Sequence, residues 1–493
     1  MRGITLATSF LHPYCAATGR GTMIRQVRTD YDLVVIGGGA AGLGAARAGA
    51  AAGARVLLVS EGEIGGECTF TGCVPSKTLI QAAARGATFA DAMTAVRGAV
   101  KTIAATETAE VLAREGIEAL RGHAAFTRTG TVSVEGRVVQ ARRYVIATGS
   151  RPAVPPVPGL AEAGYLTNET IFDLDELPSR LMILGGGPVG CELAQAFARL
   201  GSQVTLIEAA PRLLPAADPA ASHQIEKVFQ AEGISVQTGV AAASVTHDEK
   251  GVTLILAPGE KIAADRLLVA TGRQPVTDGL GLGDAGIRLD ERGDVVTDRH
   301  QATTARGIYA AGDVTGRMPF THAAFAMGRL AARNALRHRW SPAATFETSA
   351  IPWVVFTDPE VAQVGLTEQQ AAQSHAGARV AWLPMSEADR AVTAGRTEGF
   401  VKIITGRRPV MGNAGGGQVL GATIVAARAG EMIHELALAM RTHMFTGRLA
   451  QTSHAYPTWS LAIQQAAAQF FGTYGGRTAR PASQASGESG PGI

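Results

Sequence analysis

The residues best suited to chemistry are two cysteines five positions apart, Cys68 and Cys73, in the segment GGECTFTGCVPSKTLI. Four intervening residues and a helical start can bring both sulfurs within bonding reach. The chain has two other cysteines, Cys15 and Cys191, each isolated. Four cysteines in 493 residues do not make the framework of a small disulfide-rich secreted protein. No further Cys or His stands nearby at zinc-ligand spacing. No metal site is therefore expected, and a redox-active pair is favoured over a structural bridge or two buried thiols.

A redox pair must be fed with electrons, and the elements around it provide for a carrier. The strand DLVVIG runs into Gly37, Gly39 and Gly42, a GxGxxG fingerprint. An Ala-rich helix and the strand ARVLLVS follow, directly ahead of the cysteines. The pattern returns after LMILG, with Gly185, Gly187 and Gly190, the helix CELAQAFARLG and the strand QVTLIE. In such strand–turn–helix–strand units the first glycine makes the turn, the second admits a pyrophosphate and the third lets helix pack on strand. The helix N-terminus then faces the phosphate charge. Glu208, 21 residues after Gly187, ends the second unit where a carboxylate accepts from a ribose hydroxyl. No Arg follows it immediately, so NADH is favoured over NADPH. In the first unit Ser60 stands where an acid is expected, with Glu61 beside it. Either Glu61 turns inward or the ribose there is held less firmly.

Both units close alike. YVIATGSRP at 144–152 contains Thr148 and Gly149, and LLVATGRQP at 267–275 contains Gly272. GIYAAGDV at 307–314 then adds a strand ending in Gly312 and Asp313, an acid placed to contact a ribityl or phosphate group. From about 346 to 470 no nucleotide fingerprint occurs, and strands mix with the long helix AGEMIHELALAMRTHM.

Together VVIGGGAAG, GGECTFTGCVPSK, ILGGGPVGCELA, the two ATG segments, AAGDV, VVFTDPEVAQVGLTE and HAYPTWS resemble the pyridine nucleotide–disulfide oxidoreductase family. The look is that of its mercuric reductase and lipoamide dehydrogenase branch, over residues 30–471. The resemblance implies an α/β fold with two Rossmann-like dinucleotide-binding domains, for FAD and NAD(P), plus a C-terminal α+β dimerisation domain. The implied FAD domain is 30–176 with 297–345, the NAD(P) domain 177–296 and the dimerisation domain 346–471. It implies FAD held by Gly37, Gly39, Gly42, Ser60, Glu61, Gly66, Thr148, Gly149, Gly312 and Asp313. NADH or NADPH would be held by Gly185, Gly187, Gly190, Glu208 and Gly272. By the same resemblance Cys73 faces the flavin, Cys68 exchanges with substrate, and Lys77 and Glu192 form a buried ion pair favouring the reduced, anionic flavin. A homodimer is implied too, with Tyr456 completing the partner's site.

The departures bear on the acceptor. Disulfide-reducing members of the family offer a His, then a Glu five residues later, in the last domain. Those places carry Tyr456 and Leu461 here, with His454 two residues early. An unperturbed phenol, pKa about 10, is a poor base at neutral pH. Tyr at this place is similar to mercuric reductase, yet no cysteine follows Cys191, so that enzyme's second pair is missing. The expected acceptor is mercuric-reductase-like, a soft metal ion or a small disulfide. The alternatives are a quinone-type acceptor fed directly from flavin, a lipoamide-dehydrogenase-like disulfide, and a non-catalytic flavin-binding redox sensor.

Composition excludes other classes. Net charge is +3, from 45 basic and 42 acidic residues, with no basic stripe interleaved with aromatics, so no nucleic-acid partner is expected. No apolar run reaches the length of a membrane span. A cytoplasmic enzyme is expected. Residues 1–29 hold Arg2, Arg20, Arg25 and Arg28 and no acid, and read as an unstructured extension or as an export or transit signal. Residues 472–493, rich in Gly, Ser and Pro, read as a disordered tail.

Overall fold

The computed structural model describes residues 30–483, except 129, 250, 258, 339 and 409. The 1–29 extension, with Cys15, lies outside the described residues, as do residues 484–493.

The first unit starts with β1 (Tyr31–Ile36), whose apolar run is buried almost throughout, as a parallel strand covered on both faces must be. Next come α1 (Ala40–Ala51), β2 (Val56–Ser60), and two short helices carrying the cysteines, α2 (Gly66–Phe70) and α3 (Cys73–Ala84). β3 (Ile117–Arg121) and β4 (Ala141–Ile146) add strands, and β5 (Ser150–Pro152) leads out. The second unit repeats the plan with β6 (Arg180–Leu184), α4 (Pro188–Arg199), β7 (Gln203–Glu208), α5 (Pro219–Ala231), β8 (Ser235–Thr238) and β9 (Arg266–Val269). The chain returns through β10 (Arg273–Pro275) to β11 (Ile308–Ala310) and α6 (Thr321–Leu336).

Two parallel sheets result, in the orders β11-β4-β1-β2-β3 and β8-β7-β6-β9. The segments that close the two units meet: β5 and β10 pair antiparallel, with Gln274 opposite Arg151. This ribbon is where the chain passes between the two nucleotide units.

The last part is an antiparallel sheet of β12 (Trp353–Val355), β13 (Glu360–Gly365), β14 (Arg379–Pro384), β15 (Phe400–Gly406), β16 (Gln418–Ala426) and β17 (Arg480–Pro481). Its order is β12-β13-β16-β15-β14-β17. Helices α7 (Glu368–Ser374), α8 (Asp389–Thr393) and α9 (Ala429–Arg441) accompany it. The expectation of a disordered tail from 472 is corrected over the described residues 472–483. Residues 480–481 pair with Arg379 and Val380 of β14, and Arg480 reaches Glu368. An ion pair and a free sheet edge outweigh a composition that favours disorder.

One apolar core runs through all three parts. It joins Leu79 and Ala83 of α3, Leu193 and Phe197 of α4, and Val355, Val361, Phe400 and Val425 of the last domain. Phe197 is fully buried, so truncating it to Ala costs about 3–5 kcal/mol and loosens α4 against α3. A charged core accompanies the apolar one. Lys402 Nζ lies 2.8 Å from Asp218 Oδ1 and 3.1 Å from Glu368 Oε2, with all three side chains nearly fully buried. Asp218 also caps α5, accepting from the Ala220 N–H at 3.0 Å. Among the described residues no helix is long and apolar enough to cross a membrane.

Candidate active site

Gly72 separates α2 from α3, so Cys68 ends up one short turn from Cys73 at the head of α3. Both thiols are free and half-buried. Thr321, at the start of α6, places its hydroxyl 3.4 Å from Cys73 Sγ and 3.3 Å from Cys68 Sγ. The two thiols divide one proton. The Cys68 thiol hydrogen-bonds to Cys73 and holds it well below the usual cysteine value, helped by Lys77 and Thr321 and opposed by burial and Glu192. The same bond, with burial, pushes Cys68 far up. A stabilised thiolate at Cys73 and a proton-bearing thiol at Cys68 follow.

Lys77 lies one turn along α3 from Cys73. Its ammonium is 2.7 Å from Glu192 Oε2 on α4, where the carboxylate is almost buried. Phe356, just past β12, donates its N–H to the other carboxylate oxygen at 2.9 Å and sets its ring 4.7 Å from Lys77 Nζ. Cys191, next to Glu192, is buried with its thiol on the Gly186 carbonyl at 3.3 Å, out of the site.

The two glycine turns are superimposable in logic. A Cβ on Gly42 would fall 1.8 Å from the Gly37 carbonyl oxygen, and one on Gly190 1.8 Å from that of Gly185, so only glycine fits. In front of the turns there is room. A Cβ on Gly187 would meet nothing within 4 Å, and one on Gly39 only Gly66 Cα at 4.0 Å. Both helix N-termini thus open onto free space at the carboxyl ends of parallel strands, which fits the pyrophosphate of a dinucleotide at each. Glu208 ends β7 with its carboxylate taking the Gly186 N–H at 2.6 Å and the Ala210 N–H at 2.7 Å. In the first unit it is Ser60 that faces the turn, buried against Gly38. Glu61 does not swing in: it is exposed and pairs with His123 at 3.5 Å. Gly66 and Gly312 flank the mouth of the first turn, beside Gly39 and Ala41 respectively. Thr148 donates to the Val276 carbonyl at 2.7 Å, Gly149 accepts from the Val276 N–H at 3.0 Å, and Gly272 sits at the head of β10.

Asp313 accepts from the Ser150 hydroxyl at 2.7 Å and lies 3.6 Å from Arg273 Nε. Arg273 also forks onto Glu67, the residue before Cys68, and Asn168 donates to that same carboxylate at 2.6 Å. Sequence reasoning missed Thr321, Phe356, Arg273 and Glu67. Only Arg273 carried a signal, since it follows the second ATG at the place Ser150 holds after the first.

In the last domain Tyr456 is mostly exposed and its hydroxyl donates to Asp389 Oδ2 of α8 at 2.8 Å. That carboxylate raises the phenol above its ordinary value. His454, named as a candidate catalytic residue, is turned inward instead. Nδ1 is 2.9 Å from the Thr452 carbonyl and Nε2 3.1 Å from Glu435 of α9, with the ring nearly buried. Both ring nitrogens are thus turned onto partners of the last domain itself. Leu461 opens a helix, Leu461–Ala468.

Comparison with known proteins locates the chain. The pyridine nucleotide-disulphide oxidoreductase family matches residues 31–328, and the dimerisation domain of that family matches 351–467. A mercuric reductase of Streptomyces lividans is 37% identical over 471 residues, covering 90% of this chain and 97% of its own. A dihydrolipoyl dehydrogenase of Thermus scotoductus is 36% identical over 464 residues, covering 89% of this chain and 96% of its own. Of solved structures, the HOCl-induced flavoprotein disulfide reductase RclA from Escherichia coli has a TM-score of 0.81 and 32% identity, covering 89% of this chain and 99% of that one. A Cu(II) complex of RclA matches equally, at TM-score 0.81.

Proposed function

The chain belongs to the pyridine nucleotide-disulphide oxidoreductase family, and from that premise we propose a homodimeric reductase that passes electrons through Cys68 and Cys73 to a mercuric-reductase-like acceptor, a soft metal ion in preference to a small disulfide. FAD and NAD(P)H are its cofactors. The first glycine turn, with Ser60, Gly66, Thr148, Gly149, Gly312 and Asp313, would hold FAD. The second turn, with Glu208 and Gly272, would hold the nicotinamide cofactor, and the Glu208 carboxylate suits a ribose hydroxyl better than a 2′-phosphate, favouring NADH. Bound FAD supplies two-electron transfer from nicotinamide to disulfide.

The chain's own residues do the rest. Reduction of the Cys68–Cys73 bond by two electrons and one proton yields one thiol and one thiolate. Cys68 keeps the proton, Cys73 keeps the charge, and Thr321 and Lys77 stabilise it. Cys68 is the thiol that meets the acceptor.

The choice of acceptor rests on one observation, the Tyr456 hydroxyl donating to Asp389. With its proton turned to the carboxylate, the phenol oxygen offers lone pairs outward and no proton. A departing thiolate needs a proton donor, whereas a thiophilic cation needs none. Anaerobic NADH oxidation with Hg(II), Cu(II), lipoamide and a quinone tests this. Cation turnover above lipoamide turnover, abolished by Cys68→Ser, is expected. Quinone turnover that survives Cys68→Ser, with no cation turnover in the unmodified protein, refutes it.

A further inference from the structure

Three polar side chains lie along one face of α4, Glu192, Gln195 and Arg199. All three reach residues 356–358 of the last domain. The Phe356 N–H donates to Glu192 at 2.9 Å, and the Asp358 N–H to Gln195 Oε1 at 2.7 Å. Gln195 Nε2 donates to the Asp358 carbonyl at 2.8 Å, and Arg199 Nη1 to Asp358 Oδ2 at 2.8 Å. Arg396 grips the other Asp358 oxygen. This stretch thus holds α4 over two turns, and its upper end closes on the Lys77–Glu192 pair. There the Lys77 ammonium, contributed by the first unit, has a carboxylate from the second unit beside it and an aromatic face from the third domain over it.

We propose that Phe356 is a positioning residue for the redox pair: its ring face and its backbone N–H fix Lys77 and Glu192 relative to Cys73. The last domain thereby sets how firmly the thiolate is held. The inference rests on reading Cys68 and Cys73 as the redox pair, and the identity of the acceptor does not enter. Among the described residues the groups facing Cys73 include the protonated Cys68 thiol, the Lys77 ammonium and the Glu192 carboxylate. Lys77 stabilises the thiolate and Glu192 opposes it, so whatever orients Lys77 acts on Cys73 through it. An aromatic face attracts an ammonium by its quadrupole, which an aliphatic side chain of similar size lacks.

The test uses FAD-loaded protein, reduced anaerobically with dithiothreitol at neutral pH, and reads the long-wavelength thiolate–flavin absorbance. Phe356→Leu should weaken the band about twofold or more, while Phe356→Tyr, which keeps the ring, should retain it. In a Lys77→Met background, Phe356→Leu should add nothing further. FAD content and melting temperature establish that each variant is folded, and Phe356→Met replaces Phe356→Leu if that variant loses its flavin. An unchanged band in Phe356→Leu overturns the proposal. So does a Phe356→Tyr band as weak as that of Phe356→Leu, or a loss that persists without Lys77. Absence of the band in the unmodified protein sinks the redox-pair reading itself, and this inference with it.

Discussion

Removing the two partners of the Lys77–Glu192 pair should move the Cys73 thiolate in opposite directions. Lys77 stands one helical turn from Cys73, about 5–6 Å away at the Cβ atoms. A unit charge at ~6 Å in an effective dielectric of ~20 interacts by about 3 kcal/mol, equivalent to about two pH units. Glu192 opposes it from the other end of a 2.7 Å contact, so the net effect of the pair is smaller. Lys77→Met leaves only the opposing carboxylate, and the thiolate should form about one to two pH units higher. Glu192→Gln leaves the ammonium unopposed, and the thiolate should persist about one unit lower. The sign follows from the depressed Cys73 value: its anion is lost as pH falls through that value, earlier in Lys77→Met and later in Glu192→Gln. Stability should separate the two as well. The Glu192 side chain is 5% exposed and that of Lys77 31%, so Lys77→Met strands a nearly buried carboxylate. The cost of a stranded buried charge, about 3–5 kcal/mol, falls to about 2–3 here because the Phe356 N–H still serves the carboxylate. The assay is the long-wavelength absorbance of the reduced, FAD-loaded protein against pH. Shifts of the same sign in both variants, or no shift in either, would refute the electrostatic reasoning.

Other outcomes follow from the same geometry. Lys402→Met should lower stability by about 3–5 kcal/mol, seen as a large drop in melting temperature, because Asp218 and Glu368 are left buried with one cation fewer; adding Asp218→Asn and Glu368→Gln should recover part of it. Gly42→Ala should yield protein purified without flavin, whereas Gly190→Ala should keep the flavin and raise KM for NADH at least tenfold; flavin absorbance and steady-state kinetics distinguish them. His454→Gln should reduce thermal stability by about 1–3 kcal/mol and leave the pH profile of kcat unmoved, because the ring is spent on bracing α9. A kcat profile that loses a limb in that variant would return His454 to the chemistry.

The fold class was readable because both dinucleotide units are local: strand, turn and helix lie within about thirty residues and declare themselves through glycine spacing and periodicity. The repeated ATG closures even foreshadowed the ribbon, since β5 and β10 are the ends of the two echoes. What escaped was the set of contacts that join the units. Thr321 lies 253 positions from Cys68, Phe356 lies 164 from Glu192, and neither residue type advertises a partner at that separation. Lys77 and Glu192, 115 positions apart, could be connected only through resemblance. Lys402 did carry a signal, a lone cation in the apolar run FVKIIT, which marks either a solvated face or a buried pair; its register on a wholly buried strand makes it the second. His454 misled because distance along an extended segment says nothing of which way a ring turns, and Glu435 on α9 drew it inward.

The pairing of residues 480–481 with β14 has a bearing on how the molecule keeps to itself in a crowded solution. β14 is the last long strand of the sheet, and without the short β17 at its side it would present unused N–H and C=O groups to any neighbouring chain. Arg480 makes the cover selective, because its guanidinium is fastened to Glu368 inside the charged core. A proteolytic nick near residue 478 would do two things in one event: bare a sticky strand and strip that carboxylate of a counter-ion. Clipped preparations should therefore self-associate before they lose their flavin, and a lengthening light-scattering signal at constant visible absorbance would be the early mark of damage.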